Sequence, residues 1–416
     1  MNEKIPTNNK SSKNVAIVYQ YLAHYRITIA RTLCLQNTNE YPTYTWISGI
    51  TQNTGPNALK TIDPKWGTKP QSEGGFRWRI IKNIWLYKTI LWQRGLLGIA
   101  FRKEFDCIIY LGDMHYLSTW VGCMVSRIRG KRVLMWSHGF YGSESKIKFK
   151  LRKLFFSLAD GILLYGCHAR NIMIENGIQS EKLYVVYNSL DYESQLKHRE
   201  NTSTQEIEAT SARLFKDPTL PVIIFTGRII RSKGLALLLE SICTVRARGT
   251  LINVLFVGDG PDRMVLENQA SQLGLDGIAT FYGECYSEKE LAVLFGLSDI
   301  CVSPEGVGLT AMHAMAYGVP VITHDEPAKQ KPEFEAIFPN KTGDFFKKGD
   351  PDSLANNILN WITKVKTDNT ISSNCIQVIE NLYHTDNQTK VINLAVHGHN
   401  ANEVLDAFGP KSLDFT

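Results

Sequence analysis

Residues Ser303–Thr323 read S-P-E-G-V-G-L-T-A-M-H-A-M-A-Y-G-V-P-V-I-T and predict a strand–loop–helix–strand unit. The runs Asp299–Ser303 and Val319–Thr323 are typical of short buried strands, and the pattern of Leu309–Tyr317 between them predicts a helix. Gly318 follows that helix where a C-terminal cap is expected. Such a unit holds its two strands parallel, so a ligand is expected at their carboxyl ends.

The loop and the helix start of this unit carry groups that suit a ligand. The backbone amides of Gly308, Leu309 and Thr310 are expected to face the crevice, where the helix dipole favours an anion. Glu305 lies in the loop, and His313 lies further along on the helix. The alternative interpretation is a helix that only packs on the sheet, with Glu305 in solvent.

A second loop after a predicted strand carries two cations. The strand Val222–Thr226 is followed by Gly227–Gly234, which reads G-R-I-I-R-S-K-G. Arg228 offers a planar fork to phosphate oxygens and Lys233 offers a point charge. Together they can stabilise the negative charge that grows on a departing diphosphate. The alternative is a pair of solvated surface cations.

A third loop follows the predicted strand Asn253–Val257. Its residues Gly258–Pro261 read G-D-G-P. Gly258 and Gly260 lack a Cβ atom and therefore permit close backbone approach. All three loops follow strands of the same half of the chain, so they point to a common crevice.

The three loops resemble those of family 4 retaining glycosyltransferases, which have the GT-B fold. The sequence G-R-I-I-R-S-K-G resembles the family's G-R-L-x-x-x-K-G, and Gly258–Pro261 resembles its G-D-G-P turn. Glu305 matches the first Glu of its E-x7-E segment, whereas His313 stands where the second Glu is expected. The resemblance implies an α/β architecture in which two Rossmann-like domains face an interdomain cleft.

The resemblance also implies roles for the site residues, with a nucleoside-diphosphate sugar as the donor substrate. The implied donor-binding residues are Gly227, Arg228, Lys233, Gly258, Gly260, Glu305, Gly308, Leu309, Thr310 and His313. The implied catalytic residues are His138, Arg228, Lys233 and Glu305. His313 is expected at the ribose, which it would hold less tightly than Glu because a neutral imidazole accepts from one hydroxyl at a time. Because Arg228 and Lys233 can do the work of a metal ion, no metal and no further cofactor is expected.

The amino-terminal half reads as a doubly wound sheet. Its predicted strands are Val15–Tyr19, Tyr44–Ser48, Cys107–Leu111, Val133–Ser137, Ile162–Tyr165 and Leu183–Tyr187. No G-x-G-x-x-G follows the first strand, which argues against a dinucleotide-dependent dehydrogenase. His138 is expected at the carboxyl end of the fourth strand, facing the cleft, where it resembles the histidine that helps to organise the reacting sugar in related enzymes. A purely structural histidine is the alternative.

Two basic segments of this half suggest a membrane surface as a partner. In Phe76–Phe105 a tryptophan recurs every seventh residue among arginines and lysines, which predicts a basic helix with one aromatic face. Such a helix either lies in a membrane interface or packs its Trp face on the domain core. Lys146–Leu158 predicts a second helix, with an apolar stripe and a lysine face. In the family the amino-terminal domain binds the acceptor, which is often lipid-linked.

Length and composition fit two α/β domains, with 416 residues and a hydrophobic content of 44%. The predicted organisation is a disordered arm at 1–13, an acceptor-binding domain at 14–200, a linker at 201–218, a nucleotide-sugar-binding domain at 219–385, and a C-terminal helix and tail at 386–416. The mild net charge of +6, without a zinc-finger or RNA-module motif, argues against nucleic acid as a partner.

Eight scattered cysteines without a C-x-x-C pattern indicate free thiols in a reducing compartment, and several of them lie in apolar runs that are typical of buried thiols. No apolar run is long enough to span a bilayer, and the polar first residues show no secretory signal. The expected location is the cytoplasm, with peripheral attachment to the inner face of the membrane as an option.

The sequence as a whole predicts transfer of a hexose-type residue from a nucleoside-diphosphate sugar to a saccharide or lipid-linked saccharide, in cell-surface polysaccharide assembly. Retention at the anomeric carbon is implied by the family resemblance. Two alternatives stay open. His313 in place of the second Glu suggests a non-catalytic sugar-nucleotide-binding or scaffold protein of GT-B fold. A sugar-nucleotide epimerase of the same fold would need further acid/base carboxylates, which the sequence does not place.

Overall fold

The computed structural model describes residues 13–35, 41–50, 61–70, 73–140, 145–413 and 415. The chain divides into two units: the first is Met1–Ser189 with Thr385–Lys411, and the second is Leu190–His384 with Ser412–Thr416. The disordered arm predicted at 1–13 lies outside the described residues except for Lys13.

The described strands and helices alternate along most of the chain. The strands are β1 (Asn14–Tyr21), β2 (Thr43–Gly49), β3 (Trp78–Ile80), β4 (Lys82–Leu86), β5 (Ile90–Arg94), β6 (Cys107–Leu111), β7 (Arg132–Ser137), β8 (Gly161–Leu164), β9 (Leu183–Val185), β10 (Val222–Thr226), β11 (Asn253–Val257), β12 (Ala279–Gly283), β13 (Ile300–Val302), β14 (Val321–His324) and β15 (Gly343–Phe346). The helices are α1 (Ile27–Leu35), α2 (Leu96–Phe101), α3 (Leu117–Ile128), α4 (Lys146–Phe156), α5 (Cys167–Glu175), α6 (Tyr192–Asn201), α7 (Thr204–Leu214), α8 (Leu235–Ala247), α9 (Arg263–Gln272), α10 (Glu288–Gly296), α11 (Leu309–Ala316), α12 (Pro351–Thr367), α13 (Thr370–Val378), α14 (Thr385–His397) and α15 (Ala401–Phe408).

Seven described strands of the first unit form a parallel sheet in the order β3-β2-β1-β6-β7-β8-β9. The six strands predicted from the sequence for this half all fall in this sheet, so the predicted doubly wound arrangement is confirmed. One buried cluster includes Trp46 and Trp136, and another includes Tyr110 and Phe155. Strand order reverses between β1 and β6, which is where α/β sheets open a ligand crevice.

Six described strands of the second unit form another parallel sheet, in the order β12-β11-β10-β13-β14-β15. Strands β13 and β14 with α11 between them confirm the unit predicted for Ser303–Thr323. Gly318 ends α11 with φ of 77°, the left-handed conformation that favours glycine at a helix end. The order of strands reverses between β10 and β13, so the crevice of this unit lies at their carboxyl ends.

The helix predicted over Phe76–Phe105 is wrong. This segment forms β3 at the edge of the first sheet, then the antiparallel pair β4–β5, and then α2. Its aromatic and β-branched residues suit strands. Tyr87 and Lys88 turn the chain between β4 and β5 with positive φ, 48° and 61°, without the glycine or asparagine that usually signals such a turn. Trp78 lies in the core on β3, whereas Trp85 lies on β4 and Trp92 on β5. These three tryptophans, which recur every seventh residue, therefore share no helix face.

The structure also differs from the linker predicted at 201–218. This stretch contains the whole of α7, and a capping box begins that helix: Glu206 N–H donates to Ser203 Oγ, and Ser203 N–H donates to the Glu206 carboxylate. Helices α6 and α7 both contact α10 within the second unit. The division between the units therefore falls after Ser189. The S-x-x-E spacing signals this helix start, but the polar composition of the stretch hides it.

Helices α14 and α15 belong to the first unit rather than to a separate tail. Val391 of α14 and Val404 of α15 lie in the same buried cluster as Val15 and Ile17 of β1. The apolar faces of these last helices thus complete the first core.

The cysteines and helix lengths bear on the expected compartment. All eight cysteines are free thiols, as their spacing predicts. Burial raises the pKa of the Cys107 and Cys301 thiols to about 12, so both stay protonated at neutral pH. Within the described residues, no helix is long and apolar enough to cross a membrane.

Candidate functional site

Two loops meet at the carboxyl edge of the second sheet, beside its switch point. The loop that carries Arg228 and Lys233 follows β10, and the loop that carries Glu305 follows β13. These strands are neighbours, and Thr310 Oγ1 donates to the carbonyl of Thr226 at 3.0 Å, which fixes the start of α11 against the end of β10. A Cβ atom at position 234 would lie 3.0 Å from Cγ of Glu305. The structure therefore brings the Lys233 loop and Glu305 together.

The two predicted phosphate-binding cations differ in their surroundings. Arg228 is exposed, whereas Lys233 is half-buried with Nζ 3.5 Å from the carbonyl of Gly306. Burial and the positive charge of Lys331 lower the pKa of Lys233, and Glu305 offsets part of that effect. An anion bound beside Lys233 would favour the charged form of this side chain and so offset these effects.

Gly258 and Gly260 support the cation loop from the side. A Cβ atom on Gly258 would lie 1.9 Å from the carbonyl oxygen of Gly227, and one on Gly260 would lie 2.1 Å from that of Ile229. Ile229 N–H also donates to the carbonyl of Asp259 at 2.9 Å. These glycines therefore let two loop backbones approach each other, and the donor contacts expected of them stay a prediction.

Two basic side chains that the sequence analysis missed approach Glu305. Lys348, which follows β15, forms an ion pair with Oε2 of Glu305. His324 at the end of β14 is fully buried, with Nε2 3.9 Å from the same oxygen, and this nitrogen has no hydrogen-bond partner among the described residues. His324 Nδ1 accepts from the N–H of Glu326 at 3.1 Å. Burial, and then the charge of Lys348, lower the pKa of His324, so it is neutral at pH 7.

The Glu305 loop is held by side chains from the following strand and loop. Thr323 Oγ1 donates to the carbonyl of Ser303 at 2.9 Å. Gln330 donates to Thr323 Oγ1 at 3.0 Å and accepts from Val307 N–H at 2.8 Å. These bonds fix the backbone on both sides of Glu305.

His313 has a carboxylate partner on another helix. Its Nε2 lies 2.9 Å from Oε1 of Glu288, and Tyr317 Oη donates to the same oxygen at 2.6 Å. The imidazole also packs on Phe295, with ring centroids 5.1 Å apart. Burial alone would raise the pKa of Glu288, but the hydrogen bonds from His313 and Tyr317 hold it below its usual value. Since an ionised carboxylate only accepts, Nε2 of His313 donates and Nδ1 is the acceptor of the neutral ring.

The pairing of Glu288 with His313 could not be predicted from the sequence, because an acidic residue in the first turn of a helix has an ordinary explanation. Ser287 caps α10 by accepting from the N–H of Glu290 at 3.3 Å, and acidic residues are common in a first turn. At the start of α11, Gly308 is the N-cap and no side chain of the described residues caps the first amides, so Leu309 and Thr310 stay candidates for anion contact.

Metal ligands are not grouped in the part of the chain that the structure describes: no cluster of three His, Cys, Asp or Glu side chains could hold an ion there. Asp350–Asp352 reads D-P-D, a spacing found in some metal sites. In this structure Asp350 caps α12 by accepting from the N–H groups of Asp352 and Ser353.

His138 lies in the first unit, just after β7, and is exposed. Its ring packs on that of Tyr165, with 4.5 Å between centroids. Both residues line a cavity of about 300 Å³ that is formed by this unit alone. Asp113, which follows β6, accepts from Nδ1 of His115 at 2.7 Å in the same cavity. The structure therefore places His138 in one unit and the other predicted site residues in the second.

Comparison with known proteins supports a family for the second unit. Residues 206–378 match the family model described as glycosyl transferases group 1. The chain is 25% identical over 187 residues to an uncharacterized 41.2 kDa protein in the cps region of Klebsiella pneumoniae, covering 44% of this chain and 47% of that protein. It is 33% identical over 107 residues to 2-deoxystreptamine glucosyltransferase of Streptomyces kanamyceticus, covering 25% and 27% respectively. The chain thus spans less than half the length of these curated relatives.

Similarity to solved structures extends over most of the chain. The structure of Anabaena Alr3699/HepE in complex with UDP superimposes with a TM-score of 0.67 at 17% identity, covering 91% of this chain and 98% of that one. At this identity the likeness concerns the fold. The chain has the GT-B fold, and its residues 206–378 are similar to the glycosyl transferases group 1.

Proposed function

We propose that the protein transfers a hexose-type residue from a nucleoside-diphosphate sugar to a saccharide or lipid-linked saccharide, with retention at the anomeric carbon. One observation carries the proposal: the loop with Arg228 and Lys233 adjoins the loop with Glu305 at the switch point of the second sheet. Cations there can bind a diphosphate, and a carboxylate beside them can bind sugar hydroxyls.

Each of the predicted site residues has its own role in this transfer. Arg228 and Lys233 stabilise the charge on the diphosphate as its bond to the anomeric carbon breaks, and they do so without a divalent ion. The acceptor oxygen forms the new bond on the same face, and its proton leaves with the diphosphate. Because Lys348 and His324 both approach Oε2 of Glu305, Oε1 is the oxygen that accepts from donor hydroxyls. His138 helps to organise the reacting sugar.

The relatives support this proposal without fixing its substrates. One matched relative is named a glucosyltransferase and another is encoded in a cps region, which favours a role in polysaccharide assembly. The Anabaena neighbour was solved with UDP, so a uridine donor is the first to test.

The test is release of nucleoside diphosphate from a panel of UDP-, GDP- and ADP-sugars by the purified full chain. We expect release with at least one donor, and a product whose anomeric configuration by NMR equals that of the donor. Glu305→Gln should lower turnover strongly. Glu326→Gln should not, since Glu326 pairs with Lys329 at the surface. Nucleotide binding without any release would favour the non-catalytic alternative, and an inverted product would refute retention.

We also propose that α4 binds an anionic membrane surface. Ile147, Leu151 and Leu154 form an exposed apolar stripe on this helix, with 83%, 47% and 58% of each residue accessible. Lys146 and Lys150 are exposed beside the stripe. Apolar insertion combined with lysine attraction suits acidic lipid headgroups.

Flotation with liposomes tests this surface. The protein should float with vesicles that contain phosphatidylserine, should float less as salt rises, and should not float with phosphatidylcholine alone. Leu151→Glu should abolish flotation, whereas Met264→Glu serves as control because Met264 is an exposed apolar residue, 74% accessible, of the second unit. Equal flotation of both variants would refute the assignment of α4.

A further inference from the structure

Arg26 is a buried cation in the first unit. It lies in the single turn His24–Arg26 that follows β1, and only 6% of the residue is accessible. No carboxylate among the described residues forms an ion pair with it. Burying an arginine without a carboxylate partner costs free energy, so other contacts must offset part of the desolvation of this guanidinium.

Aromatic rings surround the guanidinium. Its Cζ atom lies 5.0 Å from the ring centroids of Tyr19 and Trp136, 5.3 Å from that of Tyr25 and 5.5 Å from that of Tyr165. It also donates to the hydroxyl of Tyr165. Cation–π contacts offset part of the desolvation cost.

The tyrosines do not neutralise this charge. Burial raises the pKa of both Tyr19 and Tyr165, so both phenols stay protonated and neutral. The guanidinium stays protonated at every physiological pH. A fixed positive charge therefore stands in an aromatic surround, without an anion from the described chain.

This charge borders the cavity of about 300 Å³ described above. Lys148 and Arg152 of α4 line the same cavity, and Asp113 is the only carboxylate among the described residues that line it. Asp113 is already engaged by His115 at 2.7 Å. The volume is at the lower end of the range for small-ligand sites, which suits one sugar unit with an anionic substituent.

We propose that this cavity binds an oxyanion, a phosphate or a carboxylate, carried by the acceptor, with Arg26 as the central contact. The proposal rests on the proposed transfer function, since it names the chemistry of the acceptor. A guanidinium bonds both kinds of oxyanion through paired N–H groups, and the aromatic wall offers the packing surface that a sugar ring needs. His138 lines the same cavity, so the bound acceptor would lie beside a residue proposed to act on the reacting sugar.

Calorimetric titration of the wild-type full chain is the first test. The probes are glucose 6-phosphate, glucuronate and glucose, with inorganic phosphate alone as a fourth arm. We expect glucose 6-phosphate or glucuronate to bind about tenfold or more tightly than glucose, and binding to weaken as salt rises. The stronger of the two anionic sugars distinguishes a phosphate from a carboxylate. Equal binding of neutral and anionic sugars would overturn the proposal.

Substitutions of Arg26 test whether this residue is the contact for the anionic group. Arg26→Met should weaken the anionic probe by about 10- to 100-fold, as expected for a lost charge-assisted hydrogen bond. Lys182→Met, at an exposed site of the same unit, should change nothing. If Arg26→Met does not fold, Arg26→Lys replaces it, and it should weaken binding because an ammonium lacks the paired fork. Unchanged binding in the folded Arg26 variant would overturn the assignment.

Donor release measured on the same preparation separates the two hypotheses. Release of nucleoside diphosphate without selectivity for anionic sugars would overturn the cavity assignment alone. Selective binding of an anionic sugar without donor release would sustain the cavity assignment as a binding site and count against the transfer function.

Discussion

The ion pair between Lys348 and Glu305 gives the sharpest prediction about the second unit. Lys348→Met removes the positive charge that lies beside Oε2 of Glu305 and keeps most of the volume of the lysine side chain. The matched control is Lys347→Met, because the neighbouring Lys347 is 76% exposed and lies 3.8 Å from Asp350 at the surface. The side chain of Lys348 is only 15% exposed, against 35% for Glu305.

The expected loss follows from the partial burial of this pair. A hydrogen bond to a charged group contributes roughly 1.5–3 kcal/mol when buried, and solvent access to Glu305 lowers this to about 1–2 kcal/mol. If Lys348 holds Glu305 in the orientation that donor hydroxyls require, the same free energy appears as a loss of about 5- to 30-fold in kcat/KM for the donor.

The assay is donor hydrolysis at several pH values, with the melting temperature as a check on folding. Lys348 is one cause of the lowered pKa of His324, so its removal should let His324 take up a proton at higher pH. A protonated His324 would then replace the missing charge beside Glu305, and the defect should shrink as pH falls. If Lys348→Met matches Lys347→Met at every pH, Lys348 does not position Glu305 and the reasoning is refuted.

Three further predictions concern the same unit. Arg228→Ala and Lys233→Ala should each lower turnover by roughly 10²-fold, the usual loss when a group that stabilises developing charge is removed; near-normal turnover in both would contradict diphosphate binding. His313→Glu places a second carboxylate beside Glu288 and should lower the free energy of unfolding by roughly 2 kcal/mol at pH 7, with recovery at acidic pH, by denaturant titration; an unchanged midpoint would contradict it. The lowered pKa of buried His324 means that the unfolded chain binds more protons below about pH 6.5, so stability should fall with pH there, and His324→Gln should remove that part of the slope.

The second sheet and its loops could be predicted because their signals are local. A short apolar strand followed by a glycine-containing loop marks a strand end within a few residues, as in Val222–Gly234 and Ser303–Thr323. Parallel pairing then follows because a helix connects such strands, as α8 connects β10 to β11 and α11 connects β13 to β14. The helix prediction at 76–105 is wrong for the opposite reason, because no local signal marks the turn. Tyr87 and Lys88 adopt positive φ without a glycine, and the seven-residue spacing of the tryptophans also fits a helix.

The partners of the site residues could not be predicted, because their contacts join distant parts of the chain. Lys348 lies 43 residues beyond Glu305, and Glu288 lies 25 residues before His313. Lysines and glutamates at such separations usually belong to solvated surfaces, and Glu288 also fits the ordinary acidic first turn of a helix. Only the strand order, which places β13, β14 and β15 side by side, brings Lys348 to the Glu305 loop.

The histidine at position 313 takes on a different meaning once its partner is known. The non-catalytic alternative is motivated by the absence of a carboxylate at this position. Glu288 places one 2.9 Å from the imidazole, and the hydrogen bonds from His313 and Tyr317 hold its pKa below the usual value, so it is ionised at neutral pH. In the neutral ring, Nε2 of His313 donates to Glu288 and Nδ1 is an acceptor. A negative charge and a hydrogen-bond acceptor are thus both present beside α11, and His313 alone gives no reason to regard the site as inactive.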